Sequence, residues 1–417
     1  MRQSLFYILS AFAVFATSCS KKTIYNKVAN VEEVKQNASR SVDKKEVCYC
    51  LENEHYLPRE ELAVLQDMKY VNSLFIFPNS SDLKNNWHGQ ESVKYAQEII
   101  KQANHKLTLQ RQMALPVGNN TPVYTIPWRY KLLEDKSQKS GYAVFDVVDD
   151  DLYYYISKGK YRNNSDMEII NKYGRPDVQA LNVFAMPHHL DSVASPSYKP
   201  SSVGIALGNT IKIGGVRQHE IKNAWKMATL FNHEVGHVLG LRHSWYKNDG
   251  CDDTPPHPNC YSSKPDGDCA GVVSNNMMDY NKSQTALTPC QVSIATRYLH
   301  HPTSKARGLL LKDWCTYDTS KSLIVTDSVH INRYVDLKGD IVVKAGGHLK
   351  ISCTVNMPAG SEIIVHPTGT LVLNGCTIRN DCGDTWSGIK LITKGKQTAA
   401  LEQLGEIVLD DVAGAKY

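Results

Sequence analysis

The run His233-Glu234-Val235-Gly236-His237-Val238-Leu239-Gly240-Leu241-Arg242-His243 constrains this chain more than any other stretch. His233 and His237 stand four residues apart, so on a helix they share one face. Two imidazoles on one face can grip a single metal ion. Glycine tolerates the positive φ of a sharp chain reversal, so Gly240 can end the helix and bring His243 back as a third ligand. Three protein ligands leave a fourth position open, as a catalytic zinc requires. Glu234 is not needed as a ligand and sits where it can take a proton from water. A bare HExxH on a surface helix is the rival reading, and Gly240 with His243 argues against it. Ala224, Met227, Ala228, Phe231, Val235, Val238 and Leu239 can pack inward while the histidines face a cleft, which predicts a helix over 224–239.

The rest of the first three hundred residues reads as one α+β domain over 47–305. Val71 to Phe77 is an apolar strand, and Ser92 to Leu107 has helical spacing. Val123 to Leu133 and Ala180 to Met186 read as strands. Val203 to Ile213 is β-prone and lies shortly before the histidine helix. From Gly240 to Thr288 the chain is rich in Pro, Asn, Asp, Ser and Cys, predicting irregular structure held by bridges.

At 417 residues the chain can hold two domains. Charged residues make up 21% and the net charge is +5 with no concentrated basic stripe, so nucleic acid is not an expected partner. Arg2 followed by the apolar run Leu5 to Ala16 reads as an export signal over 1–18, too short for a stable span. Ala16-Thr17-Ser18-Cys19 resembles a bacterial lipobox, with Cys19 as the lipidated residue that anchors the chain to a membrane surface. An ordinary signal peptide and secretion are the alternative. Residues 19–46 form a flexible tether. Ten of the eleven cysteines remain, an even number that suits disulfides in an exported protein. Cys251, Cys260, Cys269 and Cys290 permit three pairings, and the residues alone do not choose. Cys48 and Cys50 suit structural disulfides better than a thiolate cap on the metal.

His233 to His243 matches the metzincin zinc signature. Asn275-Asn276-Met277-Met278-Asp279-Tyr280 fits that clan's Met-turn, with Met278 as its methionine. Together with Cys251-Asp252-Asp253-Thr254-Pro255 and Leu287-Thr288-Pro289-Cys290-Gln291, the middle of the chain resembles the pappalysin (cytophagalysin-like) family. The resemblance implies a twisted mixed sheet, a zinc helix and an irregular C-terminal subdomain. It implies that zinc is held by His233, His237 and His243, and that peptide bonds are hydrolysed with Glu234 as general base. It implies that Tyr280 helps bind the oxyanion, against the plainer reading of a core tyrosine. It implies Ca²⁺ at Asp253 and Thr254, whose hard oxygens suit that ion; an Asx-type turn explains them equally. It implies the pairs Cys251–Cys269 and Cys260–Cys290. It suggests that the 203–213 segment is the cleft's upper rim, where extended substrate pairs with a free strand edge; an ordinary edge strand is the alternative.

After a linker over 306–321 the texture changes. Ile341 to Val355 resembles Ile363 to Ile378, with Gly375 as one insertion, a period of roughly 22 residues that suits stacked coils. A parallel β-helix-like domain over 322–417, or a smaller β-sandwich, is expected, separate from the catalytic core. Leu349 should lie against Leu371, Ile351 against Leu373, and Cys353 near Cys376, bridged or simply stacked. Little polar capping follows Val412, so the open end calls for a covering chain or further coils.

Two function classes follow. One is an exported zinc endopeptidase acting on peptides or proteins. The other is a surface adhesion or binding protein whose working part is the β-repeat. The intact histidine set with Glu234 favours the first.

Overall fold

The computed structural model describes residues 50, 52–57, 65, 67–82, 86–155, 162–197, 203–216, 224–281 and 283–414. The export signal, Cys19, the tether and Cys48 lie outside the described residues.

The first part is built on a six-stranded sheet. Its central strand, β1 (Lys69–Asn79), is buried almost throughout, as a strand covered on both faces must be. Side chains alternate across it: Phe75 and Phe77 join one core, Leu74 and Ile76 the other. Helix α1 (Gln90–Thr108) follows, then β2 (Trp128–Leu132) and β3 (Val144–Val148), which pair with the two halves of β1. Pro122 and Pro127 lack a backbone N–H, and the strand expected from Val123 starts only at Trp128. Next come α2 (Arg162–Tyr173), β4 (Leu181–Met186) and the short α3 (Leu190–Ala194).

The segment expected as one β-prone run is two antiparallel strands, β5 (Val203–Leu207) and β6 (Thr210–Gly214). Gly208 at φ +64° starts the two-residue turn between them. The strand order is β2-β1-β4-β6-β5, with β3 also on β1; every pairing is parallel except β5 with β6. β5 is thus an edge strand of a mixed sheet.

Helix α4 (Ala224–Val238) carries the first two histidines, and α5 (Pro289–His300) follows the irregular loops. Ala96, Ile99 and Ala103 of α1, Ala228, Phe231 and Val235 of α4, and Val292, Ala295 and Leu299 of α5 share one core with Phe75 and Phe77.

Beyond residue 322 the chain makes circuits, each contributing one strand to each of three sheets. The first is β7 (Leu323–Val325), β8 (Ser328–Ile331) and β9 (Val335–Asp336). The second is β10 (Ile341–Val343), β11 (His348–Ile351) and β12 (Thr354–Asn356). The third is β13 (Ile363–Val365), β14 (Thr370–Asn374) and β15 (Thr377–Arg379). The fourth is β16 (Ile389–Leu391), a small hairpin of β17 (Thr393–Lys394) and β18 (Gln397–Thr398), then β19 (Ala400–Leu404) and β20 (Val408–Leu409). All ladders between circuits are parallel, an arrangement compatible with a β-helix-like stack. Leu349 pairs with Leu371 and Ile351 with Leu373, the register expected from the repeat.

Two expectations about this region give way. Cys353 does not bridge Cys376. It is bonded to Cys50, and Cys376 is a buried free thiol. Nor is the region separate from the sheet, or residues 306–321 a loose linker. Leu65 lies in the apolar core of the coils. Lys69 at the start of β1 reaches Asp336 of β9 at 2.8 Å, and Arg307 reaches it through both guanidinium nitrogens at 2.7 and 3.1 Å. Asn356 adds a 2.7 Å hydrogen bond to the same carboxylate. Asp381 joins by bonding Arg307 at 2.5 Å and the Trp314 indole at 2.8 Å, beside the Cys315–Cys382 disulfide. Burial alone would raise the Asp336 carboxyl, but Lys69 and Arg307 outweigh it and hold it well below the usual range.

Asp336→Ala leaves two cations buried without their shared partner. We expect it to cost ~3–5 kcal/mol in urea unfolding. A loss below about 1 kcal/mol would show that water readily reaches the junction.

Candidate metal centre

Helix α4 ends in a way its sequence dictates. Gly240, at φ +86°, follows the last turn. Its N–H donates to the His237 carbonyl at 3.0 Å, and the Leu241 N–H donates to the Gly236 carbonyl at 2.9 Å. This pair of bonds is a Schellman closure, which satisfies the helix's last carbonyls while reversing the chain. A side chain at 240 would also collide with the Tyr298 ring, at 2.5 Å. The reversal returns His243 to the helix face.

The three imidazoles converge. Nε2 of His243 lies 3.2 Å from Nε2 of His233 and 3.1 Å from Nε2 of His237. Each ring on the helix is oriented from behind. Nδ1 of His233 donates to the Met277 carbonyl at 2.9 Å, and Nδ1 of His237 to the Leu241 carbonyl at 2.9 Å. With Nδ1 as donor, each Nε2 presents a lone pair to the common centre. His243 is held by stacking on Trp245, with ring centroids 4.2 Å apart and planes 11° from parallel.

Burial, reinforced by the charge of His237, lowers His233 to about 3, against the opposing pull of the Met277 carbonyl. Burial followed by His237 lowers His243 to about 4, and burial lowers His237 as well. All three are neutral at pH 7, as metal ligands must be. The set fits zinc: a tetrahedral ion with nitrogens at ~2.0–2.1 Å places them ~3.3 Å apart.

Glu234 faces the same space from beneath β5. It is buried, and burial raises its carboxyl to about 8. Gly204 of β5 makes room for it, since a Cβ there would stand 2.5 Å from Oε1. Below the histidines, a Cβ on Gly236 would run into the Met278 sulfur, so the missing side chain lets the turn at Met278 pack against the helix. The turn is closed by Asn276, whose Oδ1 accepts from the Met278 N–H at 2.9 Å. The Tyr280 ring lies 5.2 Å from His243, 5.7 Å from His233 and 4.8 Å from Trp245, and is half exposed. Burial, then Glu234 and Tyr246, raise its phenol, which stays protonated.

The loops beneath are pinned, though not as the family resemblance implied. The disulfides are Cys251–Cys290 and Cys260–Cys269, rather than Cys251–Cys269 and Cys260–Cys290. Cys290 sits in the first turn of α5, where Asp253 already binds, and this holds it against Cys251. Asp253 accepts from the Thr288 hydroxyl at 2.7 Å and from the Cys290 N–H at 2.9 Å. Thr254 donates its hydroxyl to Asp249. Both proposed calcium residues therefore have protein partners. Asp279 is fully buried, accepts from Ser244 and Ser274, and lies 3.3 Å from His257.

The structure brings His233, His237 and His243, named from the sequence, together, and places Met278 and Tyr280 beside them. Sequence reasoning missed Gly204, the Met277 and Leu241 carbonyls, and Trp245. Only Trp245, an aromatic two residues after His243, left a signal that could have been read.

No protein-family model and no curated protein matches the chain. Among solved structures it is similar to Tannerella forsythia mature mirolysin in complex with a cleaved peptide, at 15% identity over 58% of this chain and 95% of that one, with a TM-score of 0.40. A Tannerella forsythia promirolysin mutant gives 14% identity over 62% and 87%, with a TM-score of 0.41. Mirolysin in complex with compound 9 gives 14% over 59% and 96%, with a TM-score of 0.40.

Zinc added to metal-free protein should bind at about one per chain, and His243→Ala should weaken it by at least ~10²-fold in a chelator competition. Unreduced peptide mapping should recover Cys251 linked to Cys290 and Cys260 linked to Cys269; the crossed pairs would show the loop to be threaded differently.

Proposed function

We propose that this chain is a zinc-dependent endopeptidase of the metzincin type, related to the pappalysin family. The observation that carries this reading is the convergence of three imidazole Nε2 atoms, with the buried Glu234 side chain on the same helix next to His233. His233, His237 and His243 would hold the ion. When bound, zinc supplies a Lewis acid that acidifies water and polarises a peptide carbonyl.

The chain's own groups do the rest. Glu234, buried beneath β5, would act in its ionised form, which a neighbouring cation favours against the effect of burial, taking a proton from the attacking water and handing it to the leaving amine. The missing side chain at Gly204 leaves the space that this carboxyl group occupies. Tyr280 keeps its phenolic proton and can donate it to the developing oxyanion. β5, at the edge of the sheet and next to Glu234, offers main-chain groups to an extended peptide. Met278 forms an apolar floor and does not act chemically.

The reading extends to placement. Leu5 to Ala16 and Cys19 support export and a lipid anchor. The four disulfides among the described residues support an oxidising compartment.

Glu234→Gln should keep zinc and lower kcat on a peptide substrate by ~10²–10⁴. Gly204→Ala should act the same way by displacing the carboxylate, again with zinc retained. Tyr280→Phe should cost up to ~10² in kcat with little change in KM. Peptide cleavage at the parent rate by zinc-loaded Glu234→Gln would sink the mechanism.

A further inference from the structure

A cavity of about 450 Å³ opens beside the histidine site. One wall is His237, the second histidine of that site. Ala206 and Gly208 at the end of β5 form another, and Arg297, His301 and Lys305 of α5 and the segment after it form the third. The volume suits a substrate side chain rather than a single water.

The charge on these walls is one-sided. No aspartate or glutamate lines the cavity. Among the described residues the Arg297 guanidinium has no carboxylate partner. Its Nε is buried without a hydrogen-bond partner, and the group lies 5.5 Å from the Tyr298 ring centroid. Lys305 likewise lacks an ion pair. Nδ1 of His301 accepts from the Thr303 hydroxyl at 3.1 Å and its N–H at 3.3 Å, which leaves Nε2 as the proton-bearing nitrogen. Arginine elsewhere in this molecule behaves differently: Arg307 is matched by two carboxylates, Asp336 and Asp381. A part-buried guanidinium with an unmet donor is costly in isolation and favourable once an anion arrives.

We propose that this cavity is a specificity pocket for a carboxylate of the substrate, held by Arg297 with Lys305 at its rim. The inference rests on the endopeptidase reading, and it names a substrate class that the zinc site alone does not. The position follows from β5. Gly204 lies over Glu234, and Ala206 is two residues farther along, about 7 Å. A peptide paired with this edge therefore places the recognised residue two to four positions from the bond that is cut. Two sources can supply the carboxylate: an internal glutamate or aspartate, and a free C-terminus.

The test uses zinc-loaded full chain and quenched fluorogenic peptides. Glu, Gln or Lys is scanned through four positions on each side of the cleaved bond, with each C-terminus either free or amidated. At one position Glu should exceed Gln in kcat/KM by about tenfold or more. Preference that survives amidation assigns an internal side chain; preference that needs the free terminus assigns the α-carboxylate. Arg297→Gln should bring the Glu-to-Gln ratio close to one, and Arg297→Glu should favour Lys. Lys305→Ala, at an exposed position, should lower the ratio severalfold and serves if the Arg297 variants fail to fold. Cleavage with no charge preference, or a preference untouched by either substitution, overturns the pocket and leaves the endopeptidase reading standing. If no peptide is cut, that reading fails, and anisotropy with zinc-loaded Glu234→Ala then decides the pocket. Tighter binding of the Glu peptide that is lost on Arg297→Gln supports a carboxylate site, and equal binding of the Glu and Gln peptides overturns it.

Discussion

Everything at the histidine site depends on one chain reversal. His233 and His237 meet because a helix puts residues four apart on one face, but His243 cannot join them while the helix continues. The closure at Gly240 is therefore the step that brings the third histidine to the first two. It works because two requirements coincide at one residue: the positive φ that glycine accepts and the lack of a side chain where the Tyr298 ring passes. The same closure frees the Leu241 carbonyl to point back at His237. A ligand is thus oriented by the turn that its own helix end creates.

Three imidazoles brought together, with Nε2 of His243 within hydrogen-bond distance of both others, must be held there by their surroundings. The turn at Met278 does so from below. It supplies a carbonyl to His233 and fills the space above Gly236 with a soft thioether. That turn is anchored by Asn276, which also exchanges hydrogen bonds with Gln291 of α5 at 2.8 and 3.2 Å. Gln291 in turn completes a capping box with Thr288. The path from a helix cap to a histidine tautomer is short and fully hydrogen-bonded. This explains how a loop region rich in turn residues can hold three imidazoles in a fixed arrangement.

The sequence made the local and periodic parts of this molecule legible. The α4 helix, the clustering of the three histidines and the Leu349–Leu371 register all follow from spacing that a helix or a strand fixes within one or two turns. What it hid depends on distant pairs. Cys50 and Cys353 are 303 residues apart, and nothing near either cysteine announces the other. The loop disulfides were hidden for a related reason: their pairing is decided by Asp253 capping α5, a contact made across the fold. Gly204 was invisible because its importance lies in the Glu234 side chain that occupies its space. Val203 to Ile213 looked like one strand because β-propensity does not register a two-residue reversal at Gly208.

The junction between the sheet and the coils carries the same lesson to the scale of domains. Repetition in sequence suggested an independent unit, since stacked coils draw their core from their neighbours. The first circuit instead borrows from the sheet. Asp336 sits in β9 and is neutralised by Lys69 of β1 and by Arg307, so neither side of the junction is electrically complete alone. A buried ion pair of this kind adds little net stability over apolar packing, but separating its members strands buried charges. The effect is a fixed geometry. Arg307 lies two residues past Lys305, at the wall of the cationic cavity, and Lys69 begins the strand at the centre of the sheet. The coils therefore brace the segment that follows α5, and with it one wall of that cavity.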